Sequence, residues 1–137
     1  STRTLEEVES SASVNGVDAV IVDRVGVLPD LYTVGHVGYV GGGFHRAGVH
    51  SVIEPAAAQL PVIFGPHYRN SSAAIDLLKG GAAKVITDAE GLADSLLGWL
   101  EDTKEHGDAT NRAFGYIQTH RGGAERTVDA LAHLLGP

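Results

Sequence analysis

Four short strand-like runs, rich in apolar and β-branched residues and with Lys84 as their one charge, punctuate the first two-thirds of this chain: Ala19-Val20-Ile21-Val22, Val37-Gly38-Tyr39-Val40, Pro61-Val62-Ile63-Phe64 and Ala83-Lys84-Val85-Ile86. The first ends at Asp23, the second runs into Gly41-Gly42-Gly43, and the third is closed by Gly65-Pro66. Apolar residues on consecutive positions suit strands buried on both faces, and Ala19 to Val22 is expected to be one. Helical patterns fit between the strands. Ser1 to Asp18 is polar, with a short helix expected around Leu5 to Val8, and Pro29 suits the first turn of one running through Leu31 and Tyr32. Ser51 and Glu54 form a capping-box pattern opening a helix through about Gln59, with Pro55 in its first turn. Asn70 is placed to cap a helix through about Lys79, ended by Gly80-Gly81. Thr87 and Glu90 repeat the capping-box pattern ahead of Ala89, Leu92, Ala93, Leu96, Leu97 and Leu100, apolar at a spacing of three and four.

Strand and helix therefore alternate at least three times. That pattern predicts an α/β fold, a parallel sheet with right-handed crossovers and helices on both faces. Such sheets bind ligands at the carboxyl ends of their strands, here Asp23 to Gly26, Gly41 to His50 and Gly65 to Asn70. No strand follows the last part of the chain. Asn111 to His120 and Ala124 to Leu135 read as two helices separated by Gly122-Gly123, and Ala124, Val128, Leu131 and Leu135 form an apolar stripe on the second.

The 137 residues are one domain's worth, 43% hydrophobic and 20% charged, close to the soluble globular average, which makes disorder and a coiled coil poor readings. No apolar run approaches the ~18 residues of a membrane span, and the polar opening lacks a signal-peptide pattern. Cysteine is absent, which removes disulfides and thiolate metal sites. Methionine is absent too and the chain begins at Ser1, so an excised piece of a longer protein is expected, removal of an initiator methionine being the other reading. The net charge of −7 argues against a nucleic-acid surface. Its acids are unevenly placed: seven acids and one base lie between Asp88 and Asp108, whereas Gly35 to Asp76 holds Glu54 and Asp76 against Arg46 and Arg69, with four of the seven histidines. That earlier region can accept an anion.

The densest signal is the segment from Gly41 to Pro55, a glycine-rich loop between a buried strand and a helix start. Glycines let backbone approach a ligand closely, and the free N–H groups of a helix start favour an anion such as a nucleotide phosphate. It is neither the G-x-G-x-x-G fingerprint nor a P-loop, and a tight structural turn is an equal reading. Glu54 has two roles open to it, capping the helix by returning to the Ser51 N–H, or accepting hydrogen bonds from a ribose diol. Physical chemistry of the sequence favours the cap. His50 either donates to a phosphate or fills the loop–helix junction, and His45 and Arg46 either meet ligand charge or stand in solvent. His67, Tyr68 and Arg69 line the cleft or form an ordinary turn. Asp23 reads as a turn-former or a cleft residue. His36, His45, His50 and His67 lack metal-site spacing, so no metal is expected. No catalytic group is assigned to this chain.

Taken in order, Asp23-Arg24-Val25-Gly26, Tyr39-Val40-Gly41-Gly42-Gly43, His50-Ser51-Val52-Ile53-Glu54-Pro55, Pro61-Val62-Ile63-Phe64-Gly65-Pro66-His67 and Asn70 resemble the second half of the 3-deoxy-D-manno-octulosonic acid (Kdo) transferases. The resemblance runs from about Val20 to the end. It departs at Arg24, Ser51 and Ser71, where that family more often has Thr, Asn and an aromatic residue. The resemblance implies a Rossmann-like domain, the second of a GT-B glycosyltransferase, occupying residues 1–137, with the helices of about 108–137 packing toward a missing first domain. It implies CMP-Kdo as donor substrate with no further cofactor and no metal. Gly41, Gly42, Gly43, His50, Ser51 and Glu54 would bind the donor, with Gly26, His67 and Asn70, and Glu54 moves from cap to ribose. The parent would be an inverting transferase adding Kdo to a lipid A precursor in lipopolysaccharide biosynthesis, cytoplasmic at the inner-membrane face. Its lipid acceptor and catalytic base would belong to the first domain, so this chain alone would bind without turnover. Two alternatives stand beside it. One is a GT-B transferase or sugar-nucleotide epimerase using a UDP or GDP sugar. The other is a stand-alone flavodoxin-like module, which predicts a monomer without a large exposed apolar patch.

Overall fold

The computed structural model describes residues 1–135 and contains two parallel sheets. The chain opens with β1 (Thr2–Thr4), α1 (Leu5–Glu9), β2 (Ala19–Ile21) and α2 (Leu28–Tyr32). β3 (Gly38–Val40), α3 (Ile53–Ala57), β4 (Val62–Phe64), α4 (Ser72–Lys79) and β5 (Ala83–Val85) follow, then α5 (Ala89–Glu101), α6 (Thr103–His120) and α7 (Gly123–Leu135). β3, β4 and β5 form one sheet in that order, with β4 central. β1 and β2 form the other.

Pleating sends alternate residues of the larger sheet to opposite faces, and the register lines them up. Gly38, Val62 and Ala83 are partners, as are Val40, Phe64 and Val85. Their face packs under α3, α4 and the second half of α6 through Val52, Ala56, Ala74, Leu77 and Ala113. The opposite face presents Ile63, which packs with Ile86, Trp99 and Ala109 under α5 and the first half of α6. Val62, Ile63 and Phe64 are each fully buried, as a strand covered on both faces requires. The helices-on-both-faces expectation is met around this sheet.

Ala19 to Val22 corrects the expectation. The strand forms, but its hydrogen-bonded neighbour is β1 and its residues are exposed, Val20 and Ile21 by 44% and 55%. A run of β-branched residues records fitness for burial, and whether a covering layer exists depends on other segments. The polar Thr2–Thr4 strand was not anticipated, because a β1 without apolar residues carries no periodic signal.

Three helix starts also differ from their sequence signatures. The N-cap of α3 is Val52, without a side-chain bond, so the Ser51–Glu54 box does not form; α3 stops at Ala57, with Gln59 in the left-handed conformation at φ 65°. Ser71, not Asn70, caps α4, its hydroxyl accepting from the Ala74 N–H at 3.2 Å. Asp88, not Thr87, caps α5, accepting from the Gly91 N–H at 2.8 Å. Aspartate is the stronger cap when both precede a helix, because its charge also meets the helix dipole. Asp102 caps α6 likewise, and Lys84 pairs with Glu105 at 2.8 Å. Three of the seven acids of that segment, Asp88, Asp102 and Glu105, thus have local structural duties. The α5 stripe is only partly used: Leu92 and Leu96 pack beside Trp99 while Leu97 and Leu100 stay exposed. α6 begins well before Asn111, at Thr103. On α7, Val128, Leu131 and Leu134 are exposed, and the Leu135 side chain lies outside the described residues. No described helix is long and apolar enough to cross a membrane.

Candidate functional site

The loops after β3 and β4 meet at the carboxyl end of the larger sheet. The Gly43 carbonyl accepts from the His67 N–H at 2.8 Å, and the Val49 N–H donates to the His67 carbonyl at 2.9 Å. Asn70 completes the clamp: its side-chain oxygen accepts from the Val49 N–H at 3.2 Å, and its amide nitrogen donates to the Val49 carbonyl at 3.0 Å. With Ser71 capping α4, Asn70 is free for this long-range role.

The clamp depends on missing side chains. A β-carbon on Gly43 would lie 2.6 Å from the Gly65 nitrogen, so the two loops touch backbone to backbone. Gly48 has φ +89°, and a β-carbon there would overlap the Asn70 amide.

Two hollows open beside this clamp. The first, about 290 Å³, has one wall from Leu28 and Tyr32 of α2 and another from Tyr39 and Val40 of β3. Gly41, His50, Ser51 and Glu54 complete it. Tyr39 is reachable because β3 is an edge strand whose outer face is not covered at that position; it is 48% exposed. With the Ser51 cap unformed, no side-chain hydrogen bond among the described residues occupies the exposed Glu54 carboxylate. Desolvation, and secondarily the Glu54 charge, raise the Tyr32 hydroxyl above the ordinary tyrosine value of 10.0. The folded chain holds that proton more tightly, so the contribution to stability is complete below the ordinary value and is lost as pH rises past it. Glu54→Gln is expected to lower the Tyr32 titration, read as the phenolate absorbance difference between that variant and its Tyr32→Phe counterpart; an unmoved curve would separate the two residues.

The second hollow, about 230 Å³, is lined by Arg46, Gly48, Pro66, His67, Arg69 and Asn70. The expected site residues thus divide. Gly41, His50, Ser51 and Glu54 come together in the first hollow, and His67 and Asn70 in the second. Gly43 is buried in the clamp, while Gly42, at φ +86°, holds the turn against the His50 ring and the Gly48 carbonyl. Gly26 joins neither: it sits on an exposed turn following β2, where Arg24 pairs with Glu9 of α1. Leu28, Tyr32 and Tyr39 were missed. The strand-end rule points at loops, and a tyrosine in an edge strand or a five-residue helix carries no motif. Among the described residues no group of three or more His, Cys, Asp or Glu could hold a metal ion.

No protein-family model matches the chain. Over 121 residues, 88% of its length, it is 36% identical to the 3-deoxy-D-manno-octulosonic acid transferase of Bordetella pertussis. Over 115 residues, 83% of its length, it is 32% identical to that of Chlamydia muridarum. The chain spans only 28% and 27% of those relatives. Among solved structures it is similar to the C-terminal CMP-Kdo binding domain of WaaA from Acinetobacter baumannii, with TM-score 0.74 and 23% identity, covering 85% of this chain and 61% of that one. That likeness establishes the fold.

Proposed function

Since this chain belongs by sequence with the 3-deoxy-D-manno-octulosonic acid (Kdo) transferases and by fold with a C-terminal CMP-Kdo binding domain, we propose that it is the donor-binding domain of a Kdo transferase. The observation that carries the reading is the first hollow. An uncapped Glu54 carboxylate stands beside two tyrosines at the carboxyl end of a parallel strand. A carboxylate there repels an anion and accepts hydrogen bonds from a neutral diol, so Glu54 takes the ribose hydroxyls. Tyr32 and Tyr39 offer aromatic surface to the pyrimidine ring. The phosphate then lies away from Glu54, over the Gly42 turn and His50. In this role the chain binds and orients the donor, and the parent protein carries the acceptor site, the proton-accepting base and the transfer of Kdo to a lipid A precursor at the cytoplasmic face of the inner membrane.

Exposed apolar residues support a domain with a partner surface over a self-sufficient module. Val20, Ile21, Val22 and Val25 lie uncovered on and beyond β2, and Val128, Leu131 and Leu134 on α7.

Titrating CMP, UMP and GMP into the chain while following amide chemical shifts tests the assignment. CMP is expected to bind at about 1 mM, ~−4 kcal/mol, moving Tyr39, Gly42, His50 and Glu54. Glu54→Gln is expected to weaken CMP by about tenfold, the loss of hydrogen bonds to a charged acceptor. Preference for UMP or GMP would replace the donor while leaving the fold, and shifts confined to other surfaces would dismiss the site.

A further inference from the structure

The second hollow is left unused by the nucleoside reading, yet it gathers positive charge in an acidic protein. Arg46 comes from the loop after β3, Arg69 from the loop after β4, and His67 of the second loop lines the same hollow. From Gly41 to Asn70 the sequence holds one acid, Glu54, and that residue lines the other hollow. The ion pairs among the described residues are Ser1–Asp18, Arg24–Glu9 and Lys84–Glu105, so neither Arg46 nor Arg69 is neutralised by a carboxylate. The loops bearing them are fixed by the Asn70–Val49 and His67–Gly43 bonds, and the floor at Gly48 is bare backbone. Two exposed arginines lining one hollow whose loops are held by backbone and amide bonds suit an oxyanion.

The hollows are neighbours. His50 of the first and Gly48 of the second both lie against Gly42. A nucleotide ester of a 2-ulosonic acid carries two adjacent anionic groups, the phosphate and the acid's own carboxylate on the same anomeric carbon. We propose that Arg46 and Arg69, with His67, hold the carboxylate of the donor's sugar acid while the nucleoside occupies the Glu54 hollow. The inference rests on the donor-binding reading and adds to it the selection of an acidic sugar over a neutral one.

The test compares CMP with freshly prepared CMP-Kdo on the parent chain and on the R46Q/R69Q double variant, followed by amide shifts that also report folding. CMP-Kdo is expected to bind the parent about tenfold more tightly than CMP, the effect of a charge-assisted contact. The double variant is expected to lose that advantage and keep its CMP affinity. An advantage that survives in the double variant overturns the carboxylate assignment and leaves the nucleoside site standing. Equal weakening of CMP and CMP-Kdo gives the arginines to the phosphate and likewise overturns it. If neither ligand binds the parent chain, the donor-binding reading falls and this inference with it.

Discussion

Replacing Gly43 with alanine is expected to destabilise the chain by about 3 kcal/mol, the upper range for forcing extra atoms into a packed contact. The added carbon would stand 2.6 Å from the Gly65 nitrogen and 2.8 Å from its α-carbon. Both neighbours are backbone, so no side chain can swing away to make room. The β3 and β4 loops would have to part, breaking the His67–Gly43 hydrogen bond of 2.8 Å and straining the Val49–His67 bond of 2.9 Å. Domains of this kind have only ~5–15 kcal/mol in total, so the loss is readily measured. Denaturant unfolding of the two proteins provides it, and a difference below about 0.5 kcal/mol, the level of an unremarkable surface change, would refute the backbone-contact argument. Nucleotide binding supplies a second readout. The separated loops should also weaken CMP, through displacement of Gly41 and His50.

The larger effect is expected at Phe64. It ends the central strand, is fully buried, and pairs with Val40 on one side and Val85 on the other. Its ring lies 5.4 Å from that of Tyr68, tilted by 47°, within the range where aromatic pairs attract. Phe64→Ala removes that contact and leaves a cavity under α4 and α6, at a cost of about 3–5 kcal/mol. Phe64→Leu keeps most of the volume and is expected to cost less than about 2 kcal/mol. The ordering matters more than either value. Equal losses would mean that the site collapses around small residues, and the close-packed description of this core would be wrong.

The residues explain how far each level of the molecule was legible. Val62 to Phe64 could be placed because consecutive apolar positions report a strand covered on both faces, a property contained in a few adjacent residues, and Ala83 to Val85 because a short β-prone run between two helical patterns reads as a strand even with Lys84 at its centre. The Gly41 to Pro55 segment could be picked out for the same reason. Glycines in series mark backbone that turns or approaches closely, whichever partner it meets. Gly80-Gly81 and Gly122 could be read as helix boundaries on local chemistry alone. The family resemblance, carried by an ordered series of short motifs, extended this reading to the donor, which composition and spacing could not supply.

What failed was each assignment that turned on competition or on distant partners. Asn70 and Ser71 are both good caps, and the choice went to Ser71 because Asn70 is held by Val49, 21 residues earlier. Ser51 and Glu54 have capping-box spacing, but the helix starts two residues after Ser51 with Val52 as its cap, which leaves the carboxylate without that partner. Ala19 to Ile21 has a core strand's composition and an exposed strand's environment, since burial is conferred by whatever packs over it. The meeting of Tyr32, Tyr39 and Glu54, and that of Arg46 with Arg69, are likewise products of the tertiary structure. The sequence by itself determined which segments become strands, where the backbone turns, and which residue types stand at the strand ends, because these follow from interactions a few residues long. Only the fold decided which of those residues line the same hollow and which charges have no ion-pair partner among the described residues, because contacts between distant segments follow from packing the whole sheet.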